Sequence, residues 1–248
     1  MQLLYPWQWI TASTGVALTQ RLPIDVDATA LQEDLQKVLN YFVPSLQDGP
    51  MHDGRWKRLG LIAPDGDPLQ AYLRKGQQHR PTPVLERHMP YLKSVIECIG
   101  FPVRSALLSV QEPGSHVRWH RDRSHSIDLS LVRLHIPLQT SPEATMTIGH
   151  ERCHWPVGQM FYADFSFPHS VFNGGTQDRV HVILDVEAQS EVRSVFCRTY
   201  LAAAGRRRTA RALVSRMFDF SERLHPAGRR AIEARRQRAR SQQVPLAN

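Results

Sequence analysis

The chain has 248 residues, a hydrophobic content of 42% and a formal net charge of +8. This length fits one domain with appendages or two small domains, and the apolar content suffices for a core. No run of eighteen apolar residues and no secretory signal pattern is present, which excludes a membrane span and predicts a cytoplasmic location. The three widely spaced cysteines exclude a disulfide framework.

The positive charge is concentrated in the C-terminal part of the chain. Residues 192–248 hold fourteen arginines and three acids, a net charge of +11, so the rest of the chain carries −3 of the total of +8. A basic tail can track phosphates or dock on an acidic surface. Because no aromatic stacking platform is interleaved with the arginines, nucleic acid is disfavoured. Docking of an acidic carrier protein and closure of an oligomer both remain open.

Helical patterns dominate the first hundred residues. Asp27 is a fair N-cap for an amphipathic helix whose apolar positions run from Leu31 to Phe42. Further elements are predicted after it: a strand over 56–62 and helices over 69–75 and 90–99. We therefore treat residues 1–102 as an N-terminal segment of helices and loops that packs on a core.

From Val103 the hydrophobic period changes to two, which is typical of strands. The predicted strands are 103–110, 129–136, 145–148, 159–162 and 179–186. Several short strands separated by turns indicate a sandwich or an open barrel, which we place at residues 103–190. Helical spacing then returns, and the packed face of one helix is predicted at Leu213, Met217, Phe220 and Leu224. Residues 191–248 are expected to form a basic helical extension.

A histidine and a carboxylate stand two positions apart at His120 and Asp122. Residues i and i+2 of a strand project from the same face, so these two side chains can offer donor atoms to one point. His169, later in the chain, is a candidate third donor. Two imidazoles and one carboxylate hold a ferrous ion while leaving coordination positions open for a co-substrate and oxygen. The short motif alone is weak, and ordinary surface polarity is its alternative.

Arg179 opens an apolar run that extends from Val180 to Val186. A guanidinium at the start of a buried strand needs an anion. One candidate is a nearby carboxylate of the protein, Asp178 or Asp185. The other is the carboxylate of a bound small keto acid.

These motifs resemble the aspartyl/asparaginyl β-hydroxylase family, including its bacterial proline-hydroxylase-like members. The matching pieces, spread over roughly residues 50 to 190, are Trp56-Lys57 and residues 89–93, 112–117, 120–122, 133–135, 155–158, 164–171 and 179–185. The resemblance implies a mainly β fold with flanking helices, built on a double-stranded β-helix (cupin or jelly-roll) core. It also implies a dioxygenase that uses Fe(II), 2-oxoglutarate and O₂.

The resemblance also implies roles for individual residues. Fe(II) would be bound by His120, Asp122 and His169. Arg179 would bind the distal carboxylate of 2-oxoglutarate, and His135 matches a residue near the carboxylate that chelates iron. For Arg179 the alternative is an ion pair within the protein, and for His135 it is a solvent-facing position on a half-exposed strand.

Four more residues are candidates for the pocket or its surroundings. Arg133 matches a family residue that meets the substrate, and it shares a strand face with His135. Arg123 follows the metal motif and can meet a carboxylate-bearing substrate, or can be a solvated loop charge. Asp164 either orients a metal ligand from the second shell or satisfies a turn. His181 shares the face of Arg179. Of the remaining residues, Trp155 is expected in the core, and His125, Asp128, His150 and His154 at the surface.

The implied reaction is hydroxylation of an unactivated C–H bond of an amino acid, with release of succinate and CO₂. The amino acid can be free, in a peptide or tethered to a carrier, and desaturation stays open as an outcome. Animal aspartyl β-hydroxylases of the family lack a carboxylate at the position of Asp122, so the aspartyl substrate does not transfer directly. Two other functions compete with this one: a non-catalytic cupin-type binding protein, and a binder of acidic partners or nucleic acid through the basic tail.

Overall fold

The structure, a computed structural model, describes residues 5–39, 51–70 and 76–224. Its described strands form two antiparallel sheets. In spatial order the seven-stranded sheet contains β1 (Thr19–Asp25), β9 (Gln159–Ala163), β6 (Leu131–Gln139), β11 (Arg179–Glu187), β4 (Val103–Gln111), β2 (Trp56–Pro64) and β3 (His79–Pro81). The four-stranded sheet contains β5 (His116–His120), β10 (His169–Asn173), β7 (Ala144–Ile148) and β8 (Glu151–Cys153).

From β4 to β11 the chain passes back and forth between the two sheets. β4, β6, β9 and β11 lie in the larger sheet, and β5, the β7–β8 hairpin and β10 lie in the smaller one. This alternation produces a double-stranded β-helix. The predicted fold class and the strands predicted from Val103 onward are therefore confirmed.

Strands from the N-terminal segment extend the larger sheet on both sides. β2 pairs with β4, and β1 pairs with β9 at the opposite edge. The strand predicted over 56–62 is thus confirmed. The larger sheet combines strands that precede Val103 in the sequence with strands that follow it. The division of the chain into residues 1–102, 103–190 and 191–248 stays a prediction.

The described helices flank the sheets. They are α1 (Pro6–Ser13), α2 (Ala28–Val38), α3 (Pro83–His88), α4 (Pro90–Cys98), α5 (Ser190–Arg193), α6 (Arg198–Ala202) and α7 (Ala204–Leu224). Asp27 caps α2 as predicted, because its side chain accepts hydrogen bonds from the amides of Thr29 and Ala30. None of these helices is long and apolar enough to cross a membrane.

Three predictions fall partly or wholly outside the described residues. These are the end of the second helix at Phe42, residues 71–75 of a predicted helix, and the tail beyond Leu224. Leu69 and Gln70, which belong to the same predicted helix as 71–75, are not helical.

Alternation along the central strands separates an apolar outer face of the larger sheet from a polar inner face. Leu108, Leu134 and Val182 are fully buried in the core that α2, α3 and α4 cover. Most of the residues that alternate with them on β4, β6 and β11 are polar, and they include Ser109, His135 and Arg179. A register that buries the apolar set therefore turns the polar set toward the space between the two sheets.

The buried face of α7 differs from the prediction. Leu213, Phe220 and Leu224 are 52%, 63% and 64% exposed, so the predicted packing face is wrong at these three positions, whereas Met217 packs partly buried against the core. The buried positions are Arg207, Ala210, Val214 and Phe218. The physical reason is that three apolar side chains share this face with Arg207, and that Arg207 and Arg211 have buried acidic partners.

Candidate metal centre and its pocket

His120, Asp122 and His169 form the one potential metal-binding group found among the described residues. β5 and β10 are paired in a register that sets His120 directly opposite His169, with ring centroids 4.0 Å apart. Asp122 follows β5 by two residues. One potential ligand atom from each side chain lies within 4.8 Å of the others. The predicted ligands therefore converge on a single point.

Hydrogen bonds to the backbone select the nitrogen that each histidine can offer to a metal. Nδ1 of His120 lies 2.7 Å from the carbonyl oxygen of Arg118, and Nδ1 of His169 lies 3.0 Å from that of Phe167. A carbonyl only accepts, so Nδ1 of a neutral ring donates and Nε2 keeps its lone pair. Outer hydrogen bonds of this kind orient metal-binding histidines.

The charges of this group suit a divalent cation. Burial, followed by the nearby His120, lowers the pKa of His169 to about 3, so its imidazole is neutral at physiological pH. Burial raises the pKa of Asp122, but Arg133 and the histidines around it together outweigh this effect and lower the pKa to about 2. A neutral imidazole and an ionised carboxylate on one face are the donors that Fe(II) requires.

Arg133 lies in the wall of the pocket and is bound to two carboxylates of the protein. Its Nη1 donates to Asp122 at 2.6 Å, and its Nε and Nη2 donate to Asp185 at 2.8 and 2.9 Å. His125, expected at the surface, is partly buried, and its Nε2 lies 3.1 Å from Nη2 of Arg133. The predicted contact of Arg133 with substrate stays a prediction, because its guanidinium already serves the metal-binding group.

Arg179 is buried without a carboxylate partner among the described residues. Its Nη1 donates to Oε1 of Gln111 at 2.8 Å, and its Nη2 lies 3.2 Å from Nδ1 of His181. Asp185, one of the alternatives considered for it, pairs with Arg133 instead. Burial lowers the pKa of Arg179 to about 9, which still leaves the guanidinium charged near pH 7. A buried cation held only by neutral groups indicates a place for an anion.

Two histidines beside Arg179 have buried nitrogen atoms without a hydrogen-bond partner in the described part of the chain. They are both ring nitrogens of His135 and Nε2 of His181. Burial, then the charge of Arg179, lowers the pKa of each ring well below its ordinary value. Buried polar atoms are normally satisfied, so these neutral rings indicate that a polar ligand or water enters here.

The metal-binding group and Arg179 line the same cavity between the sheets. The space between them measures about 440 Å³ when its opening to solvent is included. Its remaining walls include Trp56, Gln111 and apolar side chains such as Met146 and Ile183. Arg133 and His135 line it as their shared strand face predicted. Sequence reasoning missed Gln111, for which the only signal was its place two residues after Ser109 on the polar face.

The other predicted residues lie away from the cavity wall. Arg123 is 72% exposed and pairs with Asp219 of α7 at 3.3 Å, so the structure does not bring it to the pocket. Asp164 is fully buried and accepts a hydrogen bond from Ser126 at 2.9 Å. Asp128, expected at the surface, is 6% exposed and bound by Arg207 because the two side chains form a buried ion pair.

The predicted exposure or burial was right for His154 and Trp155 but not for His150. His154 is exposed and Trp155 is buried, as predicted. His150, in the turn between β7 and β8, is partly buried and not exposed as predicted.

Solved structures with a similar fold have low sequence identity to this chain. A prolyl-4-hydroxylase from Pseudomonas putida is 10% identical over 74% of this chain and 100% of its own, with a TM-score of 0.45. An oxidoreductase of the 2OG-Fe(II) oxygenase family from Burkholderia pseudomallei is 12% identical over 77% and 95%, with a TM-score of 0.48. No curated protein matches the chain.

The family is established by a match that covers most of the chain. The model of the aspartyl/asparaginyl beta-hydroxylases matches residues 23–189. This range contains the three converging metal-binding side chains and the buried Arg179. The chain therefore belongs to the aspartyl/asparaginyl beta-hydroxylase family.

Proposed function

We propose that this protein is an Fe(II)- and 2-oxoglutarate-dependent dioxygenase that hydroxylates an unactivated C–H bond of an amino acid. The observation that carries the proposal is a single cavity lined by two unlike sites. One is the group of His120, Asp122 and His169, and the other is Arg179, a buried cation with neutral partners. A dicarboxylate that chelates a metal and reaches a cation requires both sites.

In this proposal His120, Asp122 and His169 hold Fe(II). Their donor set fits, because a neutral imidazole and an ionised carboxylate are oriented by hydrogen bonds to the protein. When bound, iron supplies the chemistry that activates O₂ and oxidises the co-substrate to succinate and CO₂ as the substrate gains a hydroxyl group. The chain itself supplies positioning and a cavity walled partly by apolar side chains.

Arg179 binds the distal carboxylate of 2-oxoglutarate. Gln111 holds the guanidinium from the neighbouring strand, where it stands opposite Arg179 in the β4–β11 register. His135 is buried, and neither ring nitrogen has a hydrogen-bond partner among the described residues, so the N–H of the neutral ring can donate a hydrogen bond to a carboxylate oxygen. These groups orient the co-substrate and replace part of its hydration.

The amino-acid substrate occupies the remaining space, with Arg133 as its candidate polar contact. The substrate can be free, peptidyl or tethered to an acidic carrier protein. Carrier docking would draw on the basic tail, of which residues 225–248 lie outside the described part of the chain. A cytoplasmic location and the closure of an oligomer through the same tail are further parts of the proposal.

An anaerobic titration tests the proposed reaction class. Apoprotein is titrated with Fe(II) and then with 2-oxoglutarate, and the visible charge-transfer band of a chelated keto acid is recorded. We expect the band in the wild type, its loss in His169→Ala through loss of iron, and a much weaker keto-acid affinity with iron retained in Arg179→Met. Succinate release is then followed over a panel of amino acids.

A folded wild type that binds iron without giving the band would contradict the proposal. A cavity that binds 2-oxoglutarate without a metal would instead favour a non-catalytic cupin-type binding protein. The buried Arg179 serves either function, so metal dependence separates the two.

A further inference from the structure

The two loops that border the metal-binding residues are joined to each other. We call residues 121–130, between β5 and β6, the Asp122 loop, and residues 164–168, between β9 and β10, the His169 loop. The amide of Asp122 donates to the carbonyl of Phe165 at 2.9 Å, and the amide of Ser166 donates to that of His125 at 3.0 Å. These two bonds fix the distance between the loops and hence between the side chains at their ends.

α7 packs against both loops, although it lies beyond the residues that match the family model. At one end of the Asp122 loop, Arg121 donates to Ser215 at 2.6 Å and to Asp219 at 2.8 Å. At the other end, Arg207 binds Asp128 through Nε and Nη2 at 2.8 and 3.0 Å, and its side chain is fully buried. The helix therefore holds the Asp122 loop at both ends.

Arg211 is the one residue of α7 whose described hydrogen bonds reach both loops. In the His169 loop, its Nε donates to Ser166 at 2.7 Å and its Nη2 donates to Asp164 at 2.8 Å. In the Asp122 loop, Nη2 lies 2.9 Å from Oγ of Ser126 and 3.2 Å from Oδ2 of Asp128. The planar fork of a guanidinium can satisfy acceptors on two segments at once, which a lysine ammonium cannot do with the same geometry.

The two carboxylates that Arg211 binds are buried. Asp164 is fully buried and the side chain of Asp128 is 6% exposed, so each carboxylate requires a cation or several donors. Both receive that cation from α7, because Arg211 binds both and Arg207 adds a second contact to Asp128. Displacement of the helix would leave two buried carboxylates without their charge partners.

We infer that Arg211 is a positioning residue that sets the spacing of the Asp122 loop and the His169 loop, and thereby the affinity of the metal centre. The inference rests on the proposed function for the identity of the site, but the loop spacing itself is a property of the metal-free chain. Outer residues that orient metal ligands typically change metal affinity by about 10- to 100-fold when they are altered.

The test uses a conservative substitution with a matched control on the same helix. Arg211→Lys keeps a positive charge beside Asp164 and removes the fork. Arg216→Lys makes the same change at an exposed position. The double variant Arg211→Met/Asp164→Asn removes the opposing charges together, so that no buried carboxylate is stranded if the first variant folds poorly.

Two readouts are taken on the full-length protein. The first is amide hydrogen exchange of Asp122 and Ser166 in metal-free protein, with Val182 at the centre of β11 as an internal reference. The second is Co²⁺ affinity, followed by visible absorption. We expect exchange at both loop amides to become at least about 10-fold faster in Arg211→Lys, with the reference amide unchanged. We also expect Co²⁺ binding to weaken by about 10- to 100-fold.

The double variant should reproduce both effects, and Arg216→Lys should show neither. Unchanged exchange at the two amides, or a change confined to one loop, would overturn the inference. So would unchanged Co²⁺ affinity in spite of faster exchange. If the wild type binds no Co²⁺, the proposed function fails, and the exchange results still decide whether Arg211 fixes the loops.

Discussion

Arg133 donates a hydrogen bond of 2.6 Å to Asp122, so the carboxylate offered to the metal is also anchored by a guanidinium. The same guanidinium binds Asp185 through two further bonds, and Asp185 is 3% exposed. Arg133 therefore links a metal-binding carboxylate to a buried acid in the larger sheet. Its removal affects two carboxylates with different functions, and a double-variant experiment separates the two effects.

We expect Arg133→Met to destabilise the protein by about 3–5 kcal/mol, because Asp185 would be left as an uncompensated buried charge. The variant Arg133→Met/Asp185→Asn should recover most of that stability. It should not recover metal affinity, since Asp122 still lacks its anchor. Urea unfolding and Co²⁺ titration of the two variants measure the two quantities. Recovery of metal affinity in the double variant would show that the loss came from the fold and not from Asp122.

Arg179 and Arg207 are both buried arginines, but we expect their removal to have different effects on the free energy of unfolding. Arg179 has only neutral partners among the described residues, whereas Arg207 forms a bidentate ion pair with Asp128. Arg207→Met should cost about 2–3 kcal/mol, because Asp128 loses its bidentate partner and keeps only the contact with Arg211 at 3.2 Å. Arg179→Met should cost less than about 1 kcal/mol or be stabilising, because it strands no charge.

Chemical unfolding of both variants, together with 2-oxoglutarate binding to the first, checks this contrast. Arg179→Met should weaken keto-acid binding by at least about 100-fold, which is about 2.7 kcal/mol. A large loss of stability in Arg179→Met would mean that its anion partner belongs to the protein.

His181 should make the protein less stable as the pH falls. Burial lowers the pKa of its ring well below its ordinary value, so the unfolded chain takes up a proton near pH 6.5 that the native ring does not. The unfolding free energy should therefore decrease on acidification below about pH 6.5, by up to about 1.4 kcal/mol per pH unit for this residue. His181→Gln should reduce that slope.

The matched control for this prediction is His154→Gln, because His154 is exposed. It should leave the slope of the unfolding free energy against pH unchanged. Equal slopes in the wild type and in His181→Gln would show that the ring is protonated to the same extent in the native and unfolded chains.

Local patterns in the sequence predicted β2, β4, β6, β7, β9 and β11, but not the pairing of β5 with β10 that sets His120 opposite His169. Alternation fixed the polar and apolar faces of β4, β6 and β11, and the spacing of His120 and Asp122 placed two donors on one side. The partners of Arg179 were not predictable in this way. Gln111 meets it only through the β4–β11 register, which joins residues far apart in the chain. A single sequence carries no direct signal for such a pairing.

The prediction of which face of α7 is buried was wrong for a related reason. Hydrophobic spacing favoured the face with Leu213 and Phe220, because arginines are ordinarily counted as solvated. Their buried partners, Asp128 and Asp164, belong to loops remote in sequence, so the sequence pattern could not reveal that Arg207 and Arg211 face the core. The buried face also carries Ala210, Val214 and Phe218 at helical spacing, so the hydrophobic pattern fits two faces and the ion pairs lie on the one that is buried.

Phe218 and Phe220 provide a direct test of that orientation, since they are two residues apart on α7 and differ in burial. Phe218 is 4% exposed, and its ring lies 5.2 Å from Trp7, whereas Phe220 is 63% exposed. Phe218→Ala should cost about 3–5 kcal/mol of unfolding free energy through lost burial and a cavity. Phe220→Ala should change it by no more than about 0.5 kcal/mol. Urea unfolding measures both, and the reverse order of the two losses would mean that the helix packs through the face that hydrophobic spacing predicted.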